Sequence, residues 1–295
     1  MNGPDAIVQM REVTKQFTYV KALDNVTLDI HRGTITGVLG ANGAGKSTLL
    51  RHIIGMYLPD SGKITTFGCD AAKLGPKELE QIGYVHQEGK LVGFMTVQQL
   101  IRYVKAFYQK WNEGLERRFI EDFELNLEER IKNLSPGQRQ RLSVLLAMCF
   151  EPALLLLDEP VSALDPVARA RFLDLLPELI QTQDRAIVIS SHILSDIEKV
   201  IDRVLVMKDG KILCDCEFDE LREKYARIKV SSLQGALPAT LPFKQVVECK
   251  RNGTQAIITV MGYESEQLFA QAAQISCEAE ILPMTLDEIY RVIVS

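Results

Sequence analysis

The nine residues GANGAGKST, Gly40–Thr48, constrain this chain more than any other stretch. They fit the pattern G-x-x-x-x-G-K-[ST], in which glycines let successive backbone N–H groups curl around phosphates. A lysine then reaches the β- and γ-phosphates and a hydroxyl can ligate Mg²⁺. The four fixed positions match by chance in about one chain of this length in a hundred. The geometry also needs a strand before the loop and a helix after it. TITGVLG, Thr34–Gly40, reads as a short apolar strand ending in glycine, and TLLRHIIGM, Thr48–Met56, as the helix. Gly40, Asn42, Gly43, Gly45, Lys46, Ser47 and Thr48 are therefore the primary nucleotide-binding candidates.

Further chemistry is expected at the ends of other strands. LLLLDEP carries Asp158 and Glu159 at the carboxyl end of an apolar run, and uncompensated buried acids are costly. Asp158 suits a role toward Mg²⁺, and Glu159 suits a general base that orients and deprotonates an attacking water. Gln87 follows the strand IGYV, and His192 follows AIVISS. In open parallel sheets ligands bind outside the carboxyl ends of strands. Gly40, Gln87, Asp158, Glu159 and His192 are thus expected along one sheet edge.

The chain has 295 residues, enough for a large α/β domain with or without a small companion. Apolar residues make up 46% and the net charge is −5. An acidic balance argues against a nucleic-acid or anionic-lipid surface. The expected N-terminus, MNGPDAIVQM, lacks the apolar core of a secretory signal, and no apolar run approaches the roughly 20 residues that span a bilayer. The six cysteines are scattered, which favours isolated thiols in a reducing compartment. Residues 6–31 alternate as antiparallel edge strands, and residues about 96–150 are helical in pattern, including TVQQLIRYVKAFYQKW and GLERRFIEDFEL. VLVMKDGKIL, Val204–Leu213, reads as a hairpin. After about residue 222 a loop, QGALPATLP, leads into AIITVM, ESEQLFAQAAQI, EAEILPM and TLDEIYRVIV, a small α+β appendage.

A second anion-binding pattern lies in NLSPGQRQR, Asn133–Arg141: Ser135 is a good N-cap, Pro136 suits the first helical position, and Gly137 lets a backbone N–H approach a ligand. Leu142, Leu145, Leu146 and Phe150 form the apolar face of the helix beyond. Taken in order, the phosphate loop, Gln87, LSPGQRQR, LLLLDEP, SALD and SSH resemble the ATP-binding subunits of ABC transporters over about residues 6–215. The resemblance implies an α/β P-loop NTPase core, a mixed sheet with an antiparallel edge. It implies an ATPase domain at 1–222 with a helical subdomain about 91–150, and an accessory domain at 223–295.

It further implies that ATP and Mg²⁺ bind, with Ser47, Gln87 and Asp158 at the metal. Glu159 would be the catalytic base and His192 would contact the γ-phosphate. Gln87 would link the metal site to a membrane partner. Phe17, or else Tyr19, would stack on adenine. Ser135, Gly137 and Gln138 would cover the nucleotide of a second ATPase subunit packed head to tail, with Ser162–Asp165 communicating across that interface. The family signature usually has glycine where Pro136 stands, so one backbone donor is absent. Transmembrane permease subunits on separate chains are the implied partners, at the cytoplasmic face of the membrane. EGKLVGFMTV would line the groove that receives the permease. The tail ending MTLDEIYRVIV is similar to those of bacterial exporter-type subunits. The alternatives are a soluble ABC ATPase with a translation-related role or a module whose tail senses a ligand.

Overall fold

The computed structural model describes residues 6–87, 89, 91–182, 185–233 and 235–295. The chain divides into two compact units, Met1–Asp215 and Cys216–Ser295. The division falls ahead of residue 222, inside a strand of the hairpin foreseen from VLVMKDGKIL.

The first unit opens with β1 (Ala6–Phe17) and β2 (Val20–His31), followed by β3 (Thr34–Leu39) and α1 (Lys46–Ile53). Next come β4 (Ser61–Thr66), β5 (Cys69–Asp70), α2 (Pro76–Leu79) and β6 (Ile82–Val85). A helical stretch holds α3 (Val97–Lys105), α4 (Glu113–Asp122) and α5 (Pro136–Met148). β7 (Leu154–Asp158), α6 (Pro166–Thr182), β8 (Ala186–Ser191), α7 (Leu194–Ile197), β9 (Arg203–Lys208) and β10 (Lys211–Glu217) complete the series.

Six of these strands form one sheet in the order β10-β9-β3-β8-β7-β6, with β3, β6, β7, β8 and β9 parallel. β7 is LLLLD, buried along its whole length, as a strand covered on both faces must be. The early strands β1 and β2 do not edge this sheet. They pair with β4 and β5 in a separate antiparallel sheet, β2-β1-β4-β5. α1 joins the two sheets through one core: Leu49, Leu50 and Ile53 pack with Val8 and Met10 of β1 and with Val38, Leu156 and Val188 of the parallel sheet. Each such side chain contributes about 1.5–3 kcal/mol by leaving water.

Two helical expectations need correction. The pattern in FYQKW continues α3 on paper, but α3 stops at Lys105 and Tyr108 instead stacks on Phe150, ring centroids 3.9 Å apart. An aromatic that packs from a turn imitates helical spacing. α5 is also buried more widely than one face, because Val144, Ala147 and Met148 are covered along with Leu142, Leu145 and Leu146.

The second unit contains α8 (Phe218–Lys224), β11 (Tyr225–Ser232), β12 (Val246–Asn252), β13 (Gln255–Met261), α9 (Ser265–Gln274), β14 (Cys277–Leu282) and α10 (Leu286–Val294). Its sheet is antiparallel in the order β12-β13-β11-β14. Ile228, Val230, Ile258 and Val260 form its core with Leu268 and Ala272 of α9. β11 and β12 escape sequence reading, since β11 interleaves its core residues with Arg227 and Lys229, and every residue of β12 is exposed.

The strand that carries the phosphate loop is tied down at its start by Asp202. The Asp202 carboxylate accepts the Ile35 N–H at 2.7 Å, and the Asp202 N–H donates to the Ile35 carbonyl at 2.8 Å. Asp202→Ala leaves the N–H of buried Ile35 without its acceptor and is expected to cost about 1–3 kcal/mol in thermal or denaturant unfolding.

Candidate active site

Parallel register brings the strand ends together. Leu39 of β3 pairs with Ser191 of β8, Ser190 with Asp158 of β7, and Leu157 with Val85 of β6. The residues that leave these strands, Gly40, Gln87, Glu159 and His192, emerge along one edge. A cleft of about 380 Å³ opens there, lined by Val20, Ala22, Asn42, Gly43, Ala44, Gly45, Lys46, Ser47, Thr48, Gln87 and Glu159.

The loop depends on Gly45, which sits at φ 107° as the N-cap of α1. A Cβ there would lie 2.4 Å from the Ala22 carbonyl oxygen, so both the backbone angle and the space require glycine. The N–H groups that start α1 then face the cleft, with the positive end of the helix behind them.

Lys46 is buried and donates to the Gly40 carbonyl at 2.7 Å and the Ala41 carbonyl at 3.3 Å. Its ammonium also lies 3.3 Å from Glu159 Oε1. That contact is ionic only, since Oε1 has no hydrogen bond of good geometry. The other oxygen, Oε2, accepts from His192 Nδ1 at 2.6 Å and from the His192 backbone N–H at 3.3 Å. A carboxylate only accepts, so His192 carries its proton on Nδ1.

Asp158 is fully buried. Its Oδ1 accepts from Ser47 Oγ at 2.9 Å and from Ser190 Oγ at 3.0 Å. Its Oδ2 is buried with no hydrogen-bond partner among the described residues. An orphaned carboxylate oxygen beside a serine hydroxyl, with the amide of Gln87 on the same cleft, is the all-oxygen donor chemistry that suits a small, hard divalent cation.

Glu159 adopts φ 51°, a left-handed conformation that costs a non-glycine residue about 1–2 kcal/mol. Its N–H donates to Ser190 Oγ at 2.9 Å, and its carbonyl accepts from Ser162 Oγ at 2.9 Å. These bonds hold the turn that aims its carboxylate into the cleft.

The remaining candidates lie elsewhere. Ser135, Gly137 and Gln138 begin α5 outside the cleft wall. Ser135 Oγ accepts the Gln138 N–H at 3.2 Å, and Gln138 Oε1 accepts the Ser135 N–H at 2.8 Å, a complete capping box. The space at Gly137 is filled by the Ala163 carbonyl, which a Cβ would meet at 2.5 Å. Asp165 caps the start of α6 by accepting from Val167 and Ala168, and it pairs with Arg141 of α5. The Ala168 N–H in particular holds the Asp165 carboxyl below the usual carboxylate range.

Phe17 is 39% exposed and packs edge-on against Tyr57 at 5.3 Å, outside the cleft wall, while Tyr19 is almost fully exposed. Val20 and Ala22, which do line the cleft, carry no chemical signal in sequence. Ser190, which serves both Asp158 and Glu159, was legible only as a polar residue at the end of an apolar strand.

A phosphate loop at the carboxyl edge of a parallel sheet, with two buried acids facing its lysine and serine, defines a P-loop nucleoside triphosphatase. The sequence profile of the ABC transporter family matches residues 23–162. The chain is 32% identical over 225 residues to the ABC transporter ATP-binding protein YtrB of Bacillus subtilis (strain 168), covering 76% of this chain and 77% of that one. It is 32% identical over 236 residues to the bacitracin transport ATP-binding protein BcrA of Bacillus licheniformis, with 78% and 77% coverage. Among solved structures, a dimeric post-hydrolysis state of the ATP-binding cassette MJ0796 bound to ADP and Pi superposes with a TM-score of 0.63 at 26% identity, covering 72% of this chain and 98% of that one. The chain belongs to the ABC transporter family, as an ATP-binding subunit that hydrolyses ATP.

Asp158→Ala removes the acceptor shared by Ser47 and Ser190 and is expected to lower ATP turnover at least 100-fold, a loss of about 2.7 kcal/mol or more in transition-state stabilisation. Steady-state phosphate release at saturating ATP measures it. Turnover within tenfold of wild type would remove Asp158 from the chemistry.

Proposed function

We propose that two such subunits, identical or related, close head to tail around two ATP molecules and thereby drive permease subunits held on separate chains. The observation that carries this reading is the location of the second anion-binding pattern. The Ser135 hydroxyl and the Gly137 N–H stand at the start of α5, outside the cleft of their own chain, with Ser135 exposed. An anion site of this kind fits the nucleotide of a neighbouring subunit. The dimeric structure of MJ0796 bound to ADP and Pi supports the pairing of two subunits.

In the proposed cycle, Asn42–Thr48 cradle the phosphates, and Lys46 exchanges its contact with Glu159 for the β/γ-phosphates. Released from the ammonium, Glu159 accepts the proton of a water whose oxygen bonds to the γ-phosphorus as the bond to ADP breaks. Ser47, Asp158 and Gln87 would hold Mg²⁺, which when bound neutralises phosphate charge. His192 fixes the orientation of Glu159 through Oε2 and approaches the γ-phosphate from the β8 side. Phe17 serves the base with the part of its ring that stays exposed, the Lys15 ammonium standing over that ring 5.4 Å from its centroid. Loss of the γ-phosphate removes the link between subunits and the pair reopens.

Permease docking is assigned to the surface that follows Gln87. Phe94 is 73% exposed, Phe107 65% and Tyr103 52%, and the last two pack edge-on at 5.1 Å. Exposed aromatics of this kind are suited to an interface. Within the EGKLVGFMTV groove, Glu88 and Lys90 lie outside the described residues. Among the described residues, no helix is long and apolar enough to cross a membrane, so the subunit would sit at the cytoplasmic face through its permease. Outward transport rests on the likeness of the tail, MTLDEIYRVIV, to exporter-type subunits.

Glu159→Gln is expected to keep ATP binding, lose nearly all turnover and run as a dimer on size exclusion with ATP and Mg²⁺. A monomer that hydrolyses at the wild-type rate would refute the role of Glu159. Ser135→Arg should abolish hydrolysis while the isolated monomer binds ATP with little change, measured by fluorescent-nucleotide titration. Loss of monomer binding would mean that this segment serves its own nucleotide.

A further inference from the structure

Behind the phosphate loop lies a half-buried cation that the cycle above does not use. Arg51 is on α1, one helical turn after Ser47 and therefore on the same face. One terminal nitrogen donates to His86 Nε2 at 2.8 Å, and the other to the Tyr57 hydroxyl at 3.2 Å. The guanidinium also stands over the Tyr57 ring, 5.8 Å from its centroid.

Among the described residues, the groups that meet this charge are His86, Tyr57 and Tyr84. A guanidinium has only donors, so His86 Nε2 must be the acceptor, and the imidazole is uncharged with its proton on Nδ1. Tyr84, next but one before His86, sends its phenol toward Arg51 without a hydrogen bond of good geometry. Burial lowers the Arg51 pKa, and the phenols of Tyr84 and Tyr57 more than reverse that, leaving it above the ordinary value. Burial pushes the Tyr84 phenol up, and the Asp158 carboxylate adds to the effect. The Tyr84 phenol thus lies within the electrostatic reach of the acid at the metal site.

His86 immediately precedes Gln87, which is exposed on the cleft wall. The Arg51–His86 bond therefore joins two parts of the site that lie far apart in sequence. One is the helix that carries Lys46 and Ser47, and the other is the end of β6 that carries Gln87. We infer that Arg51 is a positioning residue for ATP hydrolysis: through His86 it holds Gln87 in register with Ser47, so that a displacement of α1 by the phosphates is transmitted to the segment after Gln87. This rests on the functional reading of Gln87 given above. Among the described residues, the Arg51 side chain bonds Tyr57 and His86 and no side chain of the phosphate loop, so its loss should spare nucleotide affinity.

The test is a set of variants of the full chain, assayed for kcat and KM with ATP and for binding of a fluorescent ATP analogue. Arg51→Gln is expected to lower kcat on the order of tenfold, the scale on which a misplaced active-site group acts, with KM and analogue affinity nearly unchanged. His86→Gln presents an amide oxygen where Nε2 stood and should keep most of the activity. His86→Leu presents no acceptor and should match Arg51→Gln. In a Gln87→Ala background, Arg51→Gln should have little further effect, because both changes disable the same group.

If the two changes multiply instead, Arg51 does not act through Gln87 and the proposal fails. It also fails if His86→Leu is as active as His86→Gln. Gln87→Ala at the wild-type rate would overturn the role of Gln87 itself, a separate result from multiplicative effects. If Arg51→Gln does not fold, the two His86 variants, each alone and with Gln87→Ala, decide the question.

Discussion

Two adjacent carboxylates at the end of one apolar strand govern the architecture of the first unit. Asp158 and Glu159 are 0% and 3% exposed, and burying acids without compensation costs several kcal/mol each. Two neighbouring elements, α1 and β8, supply the compensation. α1 provides the Ser47 hydroxyl and the Lys46 ammonium, and β8 provides the Ser190 hydroxyl and leads into His192. The strand order follows from this need. β7 lies between β6 and β8, with β3 next beyond β8, so the strand that ends in acids has on one side the strand that leads to their donors and, beyond it, the phosphate loop. The apolar LLLL run anchors the acids in position by leaving water on both faces of the sheet.

The same groups that stabilise the acids are those that a triphosphate needs. Lys46 cannot fully serve Glu159 and the phosphates at once, and Ser47 is shared between Asp158 and any cation. Nucleotide binding therefore exchanges partners within a network whose members are already desolvated. Such an exchange changes the net energy by less than the making of a buried contact from water would. It also links occupancy to reactivity: in the proposed cycle, Glu159 is held by an ammonium while no phosphate is present and becomes a base once the phosphates draw that ammonium away. The left-handed turn at Glu159 belongs to the same logic, because its backbone strain persists only while Ser190 and Ser162 hold both peptide groups.

Much of this was legible in the sequence because its signals are local. The phosphate loop announces itself by glycines that a backbone path requires, and LLLLDEP by acids placed where packing alone gives no reason for them. Parallel register then does the rest, since strands aligned by their apolar runs bring Gly40, Gln87, Glu159 and His192 to one edge. What escaped is what only tertiary contact decides. Val20 and Ala22 line the cleft through position, with no reactive group to mark them. Tyr108 imitates a helical residue because it stacks on Phe150 from a turn. The strands β1 and β2 alternate as an edge should, yet they are partnered by β4 rather than by the parallel sheet, a choice that alternation cannot express. In the second unit β12 is exposed throughout, so no buried face marked it as a strand.

Pro136 gains a reason from the same contacts. A proline at the first helical position removes an N–H, but it also pre-sets the backbone where the Ser135–Gln138 box closes. The start of α5 is then rigid on its outer side. On its inner side Gly137 seats the Ala163 carbonyl in the space that a side chain would occupy, and Arg141 reaches Asp165. Ala163 follows Ser162, whose hydroxyl is bonded to the Glu159 carbonyl. A short chain of contacts therefore runs from Glu159 through Ser162 and Ala163 to Gly137. In the proposed dimer, Glu159 serves the subunit's own ATP and Gly137 that of its partner. The groups attending the two nucleotides would then be joined through fewer than ten bonded or touching residues. In that dimer a proline-started helix, with less backbone freedom than a glycine start, would carry a displacement along this path.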